Sequence, residues 1–491
     1  MLKPFEEALA YDDVLLVPQR SAVRPRQTDV STQLTRAITL KLPFVSAPMD
    51  TVTEHRLAIA LALEGGIGII HKNLPPEAQV REVQLVKRFE NGFIEDPVSV
   101  TPEQTIAEIV AIRNELGYKK IPVVDRRGVL LGLITELDYF LPDDLKLPVK
   151  LKMKRTSEIT VALAGLTLSK ANDMIRNQKL WALPVVNRRG VLVSMVTRKD
   201  LEKNVNYPNA TKDHEKRLRV GAAIGVGERE FERARLLAQS GVDILVVDTA
   251  HGHSDGVLGM VRKLKHDRTF RAVQVIGGNV ATREGAVALA KVGADAVKVG
   301  VGPGSICTTR IVAGVGVPQL SAVLDVVQGL APLKVPCIAD GGIRYSGDIV
   351  KAIAAGANSV MMGGLFAGTD ESPGIVQKID GRFVKSYRGM GSAKAMVAGS
   401  KDRYAQGEER DADKLIPEGV EATIPYRGPL HQHLTQLVGG LRAGMGYLGA
   451  ATVRDLRRRA RFVRSTAAGL RESHPHDLIQ FSPNANYSAD E

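Results

Sequence analysis

Cysteine is nearly absent: Cys307 and Cys337 are the only two among 491 residues. Two thiols cannot staple a chain of this length, so a disulfide scaffold is excluded and a reducing compartment is expected. Tryptophan occurs once. No apolar run reaches the roughly 18 residues that a membrane-spanning helix needs, so no membrane partner is expected. The first residues, MLKPFEEALAYDD, are acidic and hold no apolar signal core, which points to a cytoplasmic protein. Zinc-ligand spacing and aromatic-laced RNA motifs are missing too. The chain is basic all the same, with a formal net charge of +12, part of it in the run Arg454 to Arg464 (RDLRRRARFVR). A nucleic-acid contact and the solvated face of a late helix are both open readings of that run, and the missing RNA motif favours the helix.

Glycine is plentiful, at 47 residues, in a chain that is 44% hydrophobic. That composition suits an α/β protein with many tight strand-to-helix turns. At 491 residues the chain exceeds one ordinary domain of roughly 250–300 residues. An internal repeat accounts for part of the excess. Residues 118–138 (YKKIPVVDRRGVLLGLITELD) match residues 180–200 (LWALPVVNRRGVLVSMVTRKD), with Pro122 and Pro184 62 residues apart. The match holds from Thr105 and Thr167 to Asp138 and Asp200. Each copy reads as a helix, a strand, an Asp/Asn-x-x-Gly turn and a second strand. Two such copies should pack as a pseudo-symmetric pair, over residues 92–203.

Outside this block, short apolar runs are bounded by Gly, Pro, Asn or Asp. They are FVSAPM (44–49), GIGII (66–70), RVGAAIG (219–225), DILVVDT (243–249), AVQVIGG (272–278), AVKVG (296–300), PCIAD (336–340) and SVMMG (359–363). Continuous apolar strands suit a parallel sheet buried on both faces. Eight of them alternating with helices predict a (β/α)₈ TIM barrel, with an open doubly wound sheet as the alternative. The barrel would comprise residues 1–91 and 204–491, with the repeat block inserted after the second strand. The polar stretch 370–440 reads as a flap over the C-terminal face, where barrel active sites form.

The strand ends carry the chemistry-bearing residues. Glycines crowd there, in Gly277-Gly278, Gly300, Gly302, Gly304, Gly341-Gly342 and Gly363-Gly364. The last two pairs stand at the seventh and eighth strand ends, the usual phosphate position of a barrel. Cys307 follows the sixth strand in GPGSICTTR, among residues that do not form cores, and reads as a reactive thiol. A small buried apolar residue is the competing reading, and it is the one that suits Cys337. Asp248 closes the fourth strand and reads as a ribose ligand, an acid/base group or a helix cap. His251 and His253 follow without a third ligand nearby, so no metal pair is expected. Arg403-Tyr404 lie in the Gly-flanked segment GSKDRYAQG (399–407).

The segments AYDDVLLVP, SAPMDTVTE, GGIGIIHKN, DTAHGHS, GGNVAT, KVGVGPGSICTTR, ADGGIRYSGDI, MMGGLFAGT, ESPG and YRGMGS resemble, in order, the inosine-5′-monophosphate dehydrogenase family. The inserted repeats resemble the tandem CBS (Bateman) pair that this family carries. The resemblance implies oxidation of IMP to XMP with NAD, the first committed step of guanine nucleotide synthesis. Cys307 would attack carbon 2 of the purine and pass through a thioimidate. Arg403, with Tyr404, would activate the hydrolytic water, and Thr309 would assist. The phosphate would sit on Ser305, Gly341, Gly342, Gly363, Gly364 and Tyr387, and the ribose on Asp340. Arg388, Gly389, Met390, Gly391 and Glu418 would hold the base. NAD would contact Asp248, His253, Gly300, Val301 and Gly302. A potassium ion would be held by carbonyls of Gly302, Gly304 and Cys307, with Glu472, Ser473 and His474 from a neighbouring subunit. That sharing implies a homotetramer, extendable to an octamer through the CBS pair. The pair itself would bind ATP or GTP, with Asp138, Thr160 and Asp200 as candidate contacts. Gly364 departs from the pattern, where Ser is common. The rival readings are GMP reductase, which usually lacks the insert and the Arg-Tyr flap, and a non-catalytic nucleotide sensor.

Overall fold

The computed structural model describes residues 6–89, 93–95, 97–198, 207–478 and 487. The chain forms two compact units. Met1–Lys87, Asn209–Asp213 and Leu218–Glu491 make the first; Arg88–Pro208 and His214–Arg217 make the second.

In the first unit, eight parallel strands close into a barrel. They are β1 (Phe44–Ser46), β2 (Ile67–Ile70), β3 (Gly221–Ile224), β4 (Ile244–Asp248), β5 (Gln274–Val280), β6 (Ala296–Val299), β7 (Cys337–Asp340) and β8 (Ser359–Met362). Seven of the eight expected runs contain their strand whole; β5 starts inside the run 272–278 but continues through Asn279 to Val280. Every strand pairs with its chain-order neighbours, and β8 closes on β1 with Met362 opposite Ser46. Residues β1 to β4 and β6 to β8 are buried along nearly their whole length, so the strand sequences must be apolar on both faces. Val45, Ile67, Ile69, Ile244, Val246, Ile276, Ile338 and Met361 fill the interior. Leu34, Ile38 and Leu40, around the hairpin Thr32–Gln33/Thr39–Leu40, join that cluster. Each such side chain contributes roughly 1.5–3 kcal/mol on burial.

Helices cover the strands outside: α1 (His55–Glu64), α2 (Pro76–Lys87), α3 (Glu228–Gln239), α4 (Asp255–His266), α5 (Arg283–Lys291), α6 (Gln319–Leu330) and α7 (Ser346–Ala354). Their ends follow local chemistry. Thr282 caps α5 by accepting the Gly285 N–H, and Gly65, at φ +103°, terminates α1 in a left-handed turn closed to most side chains.

The stretch 370–440 is less uniform than its composition suggests. It contains an antiparallel sheet of β9 (Gln377–Ile379), β10 (Arg382–Arg388) and β11 (Glu421–Pro425). From Leu430 onward it is already α8 (Leu430–Leu448), whose Leu430, Leu434, Leu437 and Leu441 are buried. Gly440 and Gly444 let α8 approach α7 closely, because a Cβ at either would collide with Ser346 or Val350. The arginine run is divided: Arg454 and Arg458 are exposed on a late helix (Val453–Arg459), as the solvated-face reading expects, while Arg457 and Arg459 are partly buried. Arg457 donates to the Ala357 carbonyl at 2.9 Å, Arg459 to the Leu448 and Arg20 carbonyls, and Arg458 pairs with Asp455. The Arg457 and Arg459 guanidiniums tie the helix to distant backbone, whereas Arg458 stays on its surface.

The second unit shows the repeat as geometry. Strands Lys120–Val124 and Leu130–Thr135 pair antiparallel, as do Ala182–Val186 and Leu192–Thr197, each pair with a register shift before its turn. In one turn Asp125 Oδ1 accepts from the Arg127 and Val129 N–H groups; in the other Asn187 Oδ1 accepts from Arg189 and Val191. Leu130 N donates to Gly190 O and Leu192 N to Gly128 O, a reciprocal pair that relates the copies by a local two-fold. Asp138 spends one oxygen on the Thr135 N–H and hydroxyl, and Thr160 bonds Gln178. Asp200 lies outside the described residues.

Candidate active site

The C-terminal ends of β4, β6, β7 and β8 surround one cavity of about 140 Å³. Asp248 closes β4 and is 3% exposed; Asp340 closes β7. Lys298 of β6 stands between them at 0% exposure, its Nζ 2.9 Å from Asp248 Oδ1 and 2.7 Å from Asp340 Oδ2. Asn279 touches the same ammonium and donates to Asp340 Oδ2 at 2.9 Å and to the Gly300 carbonyl at 2.7 Å. A buried ammonium needs such compensation, and two carboxylates with an amide oxygen supply it.

Cys307 projects into this cavity from the loop after β6. Its Sγ lies 3.2 Å from Thr309 Oγ1. The loop is pinned from both sides. Arg310 donates to the Val301 and Val317 carbonyls, filling the space that glycines at 302 and 316 leave open. Across from it, Thr308 N donates to Glu418 O at 2.9 Å and Val420 N to Ile306 O at 3.0 Å. Gly302 at φ +78° and Gly341 at φ +89° hold turns that other residues resist. The Cys307 N–H also donates to the Gly304 carbonyl, so the loop closes on itself around the thiol.

Pro303, Gly304, Gly341, Gly363 and Tyr387 line this cavity and also a second one of about 560 Å³. That second cavity brings together Ser305, Gly342 and Gly364 with Arg310, Arg344 and Arg427. Tyr387 is hydrogen-bonded to Ser305 and to the Gly364 backbone, and its burial pushes the phenol up to about 12. The hydroxyl therefore stays a donor across the physiological range. A Cβ on Gly364 would meet only ordinary contacts, 3.6 Å from Tyr387 and 3.7 Å from Ser305. A Cβ at 364 is therefore not excluded by space.

The flap lies against the mouth. Arg403 forms an ion pair with Asp248, its carbonyl accepts from the Ala250 N–H at 3.0 Å, and Lys72 holds the preceding Asp402 at 2.5 Å. Tyr404 packs on Gly391, where a Cβ would clash with the ring, and burial raises its hydroxyl pKa while Arg403 counteracts. Met390 and Gly389 complete this wall; Ser400 donates to the Met390 carbonyl, and Gly389 N donates to Val420 O.

Several expected residues stand elsewhere. Arg388 commits its guanidinium to Asp50, with its NH2 2.6 Å from Oδ2, and does not line either cavity. His253 is exposed beside Gly285 at the start of α5. Glu472, Ser473 and His474 lie at the end of a C-terminal helix, and His474 packs against Tyr345 and Tyr487. Lys298, Asn279 and Gln319 carried no sequence signal as site residues. Gln319 donates to the Val299 and Asp340 carbonyls and joins the ends of β6 and β7. Only the GGN in GGNVAT could have drawn attention to Asn279.

For a monovalent cation, neutral carbonyl oxygens on one glycine-rich turn are suitable hard donors. Gly302, Gly304 and Cys307 lie on such a turn, although the Gly304 oxygen is already shared with the Cys307 N–H. Among the described residues no group of three His, Cys, Asp or Glu side chains could hold a transition metal, and no helix is long and apolar enough to cross a membrane.

Residues 8–476 match the family described as IMP dehydrogenase / GMP reductase domain. The chain is 52% identical to inosine-5′-monophosphate dehydrogenase of Aquifex aeolicus, covering 99% of both chains. It is 49% identical to the enzyme of that name from Haemophilus influenzae, covering 98% of both. Among solved structures, a GMP reductase of Trypanosoma brucei with guanosine 5′-monophosphate superposes with a TM-score of 0.91 at 42% identity, over 97% of this chain and 99% of its own. Coverage that wide includes the inserted unit, so the insert does not separate the two activities as expected from sequence.

Proposed function

The chain belongs to the IMP dehydrogenase / GMP reductase family, and on that premise we propose that it oxidises IMP to XMP through Cys307. The activity is that of an NAD-dependent IMP dehydrogenase, the name carried by relatives at about half identity over nearly full length. The observation that carries the Cys307 assignment is its position: a partly exposed thiol 3.2 Å from Thr309 Oγ1, in a cavity that adjoins the basic, glycine-lined one.

The phosphate of IMP sits on Ser305, the Gly341–Gly342 and Gly363–Gly364 turns, and the Tyr387 hydroxyl. Asp340 accepts from the ribose hydroxyls. Gly389, Met390, Gly391 and Glu418 frame the purine, and Arg388 acts through Asp50 to hold that wall. Cys307 Sγ bonds to carbon 2, and the hydrogen on that carbon leaves with its electron pair. NAD, when bound beside Asp248 and the Gly300–Gly302 turn, supplies the acceptor. Water then attacks the thioimidate carbon, the carbon–sulfur bond breaks, and the thiol is regenerated. Arg403 and Tyr404 bring and activate that water. Because Arg403 occupies Asp248 with the flap down, NAD binding and flap closure exclude one another on this reading.

A potassium ion on the carbonyls of Gly302, Gly304 and Cys307, with Glu472, Ser473 and His474 from a neighbouring subunit, would steady the thiol loop. Such a shared ion would imply a homotetramer, in the cytoplasm. The inserted unit is proposed to be a CBS pair that binds ATP or GTP and joins tetramers into octamers; the reciprocal pairing of its two copies supports that reading.

The test is direct. IMP and NAD should give XMP and NADH, read by absorbance, and intact mass spectrometry should find a purine adduct on Cys307. Oxidation of NADPH by GMP with release of ammonia, and no IMP oxidation, would reverse the assignment in favour of the second reading. That reading is supported by the Trypanosoma brucei superposition.

A further inference from the structure

Lys298 has no part in the reading above, yet it occupies the centre of the barrel mouth. No solvent reaches its side chain, at 0% exposure. Its Nζ meets groups that belong to two different tasks. One is Asp340, whose Oδ2 receives both Lys298 Nζ at 2.7 Å and Asn279 Nδ2 at 2.9 Å. Both donors fall on the same oxygen of a residue that lines the cavity. The other is Asp248, whose oxygens are divided: Oδ1 lies 2.9 Å from Lys298, and Oδ2 pairs with Arg403 of the flap.

We infer that Lys298 is a positioning residue that couples substrate to flap, fixing the orientation of Asp340 and competing with Arg403 for the charge of Asp248. The inference rests on the reading of Asp340 as ribose ligand and of Arg403 as flap residue. The balance of charge carries it. With the flap down, two cations (Lys298 and Arg403) face two carboxylates (Asp248 and Asp340). With Arg403 withdrawn, one ammonium serves both carboxylates. Among low-dielectric walls a shared ion is drawn toward whichever carboxylate has lost its other partner. Flap opening therefore pulls Lys298 toward Asp248 and loosens its hold on Asp340. Removing the lysine frees Asp340 to turn and leaves Arg403 as the only cation on Asp248. IMP then binds more weakly while the flap is held more tightly.

Lys298→Gln in the full chain tests this with two readouts, the IMP dissociation constant by calorimetry and the rate of tryptic cleavage after Lys401, Arg403 and Arg410. The expected result is a loss of IMP affinity of about tenfold together with cleavage slowed by more than about twofold. A lysine that merely stabilised the barrel would give the opposite sign, since a loosened fold is cut faster. Either readout within about twofold of wild type, or faster cleavage, overturns the inference. Should that variant fail to fold, Asp248→Asn/Lys298→Gln removes one of the two buried carboxylates along with the ammonium they share. It should keep the loss of IMP affinity but be cut faster than wild type, because Arg403 has lost its anchor; unchanged IMP affinity there overturns the inference too. Asp340→Asn separates the levels. If it binds IMP as wild type does, the ribose assignment fails and the inference with it. If it weakens IMP while Lys298→Gln does not, the inference alone fails.

Discussion

The two cysteines stand at opposite ends of the same barrel layer. Cys307 follows β6 at the mouth, half-buried, beside a hydroxyl and within a loop held by backbone hydrogen bonds. Cys337 opens β7 at the floor, 2% exposed, its N–H donating to Asn358 and its thiol pushed up to about 12 by burial. The side chains are chemically identical, so any difference in reactivity is one of surroundings: solvent access and a hydroxyl neighbour at one end, burial that the nearby Arg457 only partly offsets at the other.

Exchanging their fates is the strongest test of that comparison. Cys307→Ala should lower kcat by about 10³-fold or more, while Cys337→Ala leaves kcat within about twofold and costs about 1 kcal/mol in a denaturant melt. Equal losses from both would break it. Arg403→Gln should lower steady-state kcat by about 10²-fold yet preserve a first-turnover burst of NADH, because the flap acts after the hydrogen has left carbon 2; rapid-mixing absorbance reads both. Tyr387→Phe removes one buried donor, so KM for IMP should rise by the equivalent of about 0.5–1.5 kcal/mol with kcat little changed. A parallel fall in kcat would place the hydroxyl in the chemistry instead.

The floor makes its own prediction through pH. The Cys337 thiol, at about 12 in the fold against an ordinary value of 9.0, ionises in the unfolded chain first. Its contribution to stability is fully present below about pH 9 and is lost as pH rises toward 12. Melting curves of wild type should therefore fall more steeply than those of Cys337→Ala above pH 9. The smallest effect belongs to Gly364→Ser. The space around position 364 accepts a Cβ at ordinary contact distances, so steady-state kinetics should stay within about threefold of wild type.

The barrel was legible because its signal is local. A parallel strand covered on both faces is apolar along most of its length, and each of the eight strands begins within such a run, with only β5 continuing past its end. The loop glycines were legible for a similar reason, since positive φ at Gly302, Gly341 and Gly342 restricts the residue regardless of distant partners. Charged residues were another matter. The lysine of AVKVG gave no sign that it would be buried, because its compensation comes from Asp248, Asn279 and Asp340 on three other strands. Arg457 read as a solvated charge and instead donates to a carbonyl one hundred residues away. Arg388 read as a ligand contact and instead answers Asp50.

The sequence by itself therefore determined the barrel, the repeat, the thiol's loop and the glycine turns, all of which depend on short-range steric and apolar patterning. Tertiary structure alone decided which charges pair. A carboxylate's partner depends on which strand ends the closed sheet makes neighbours, and Coulomb energy in a buried mouth depends on ångström separations that no linear spacing encodes.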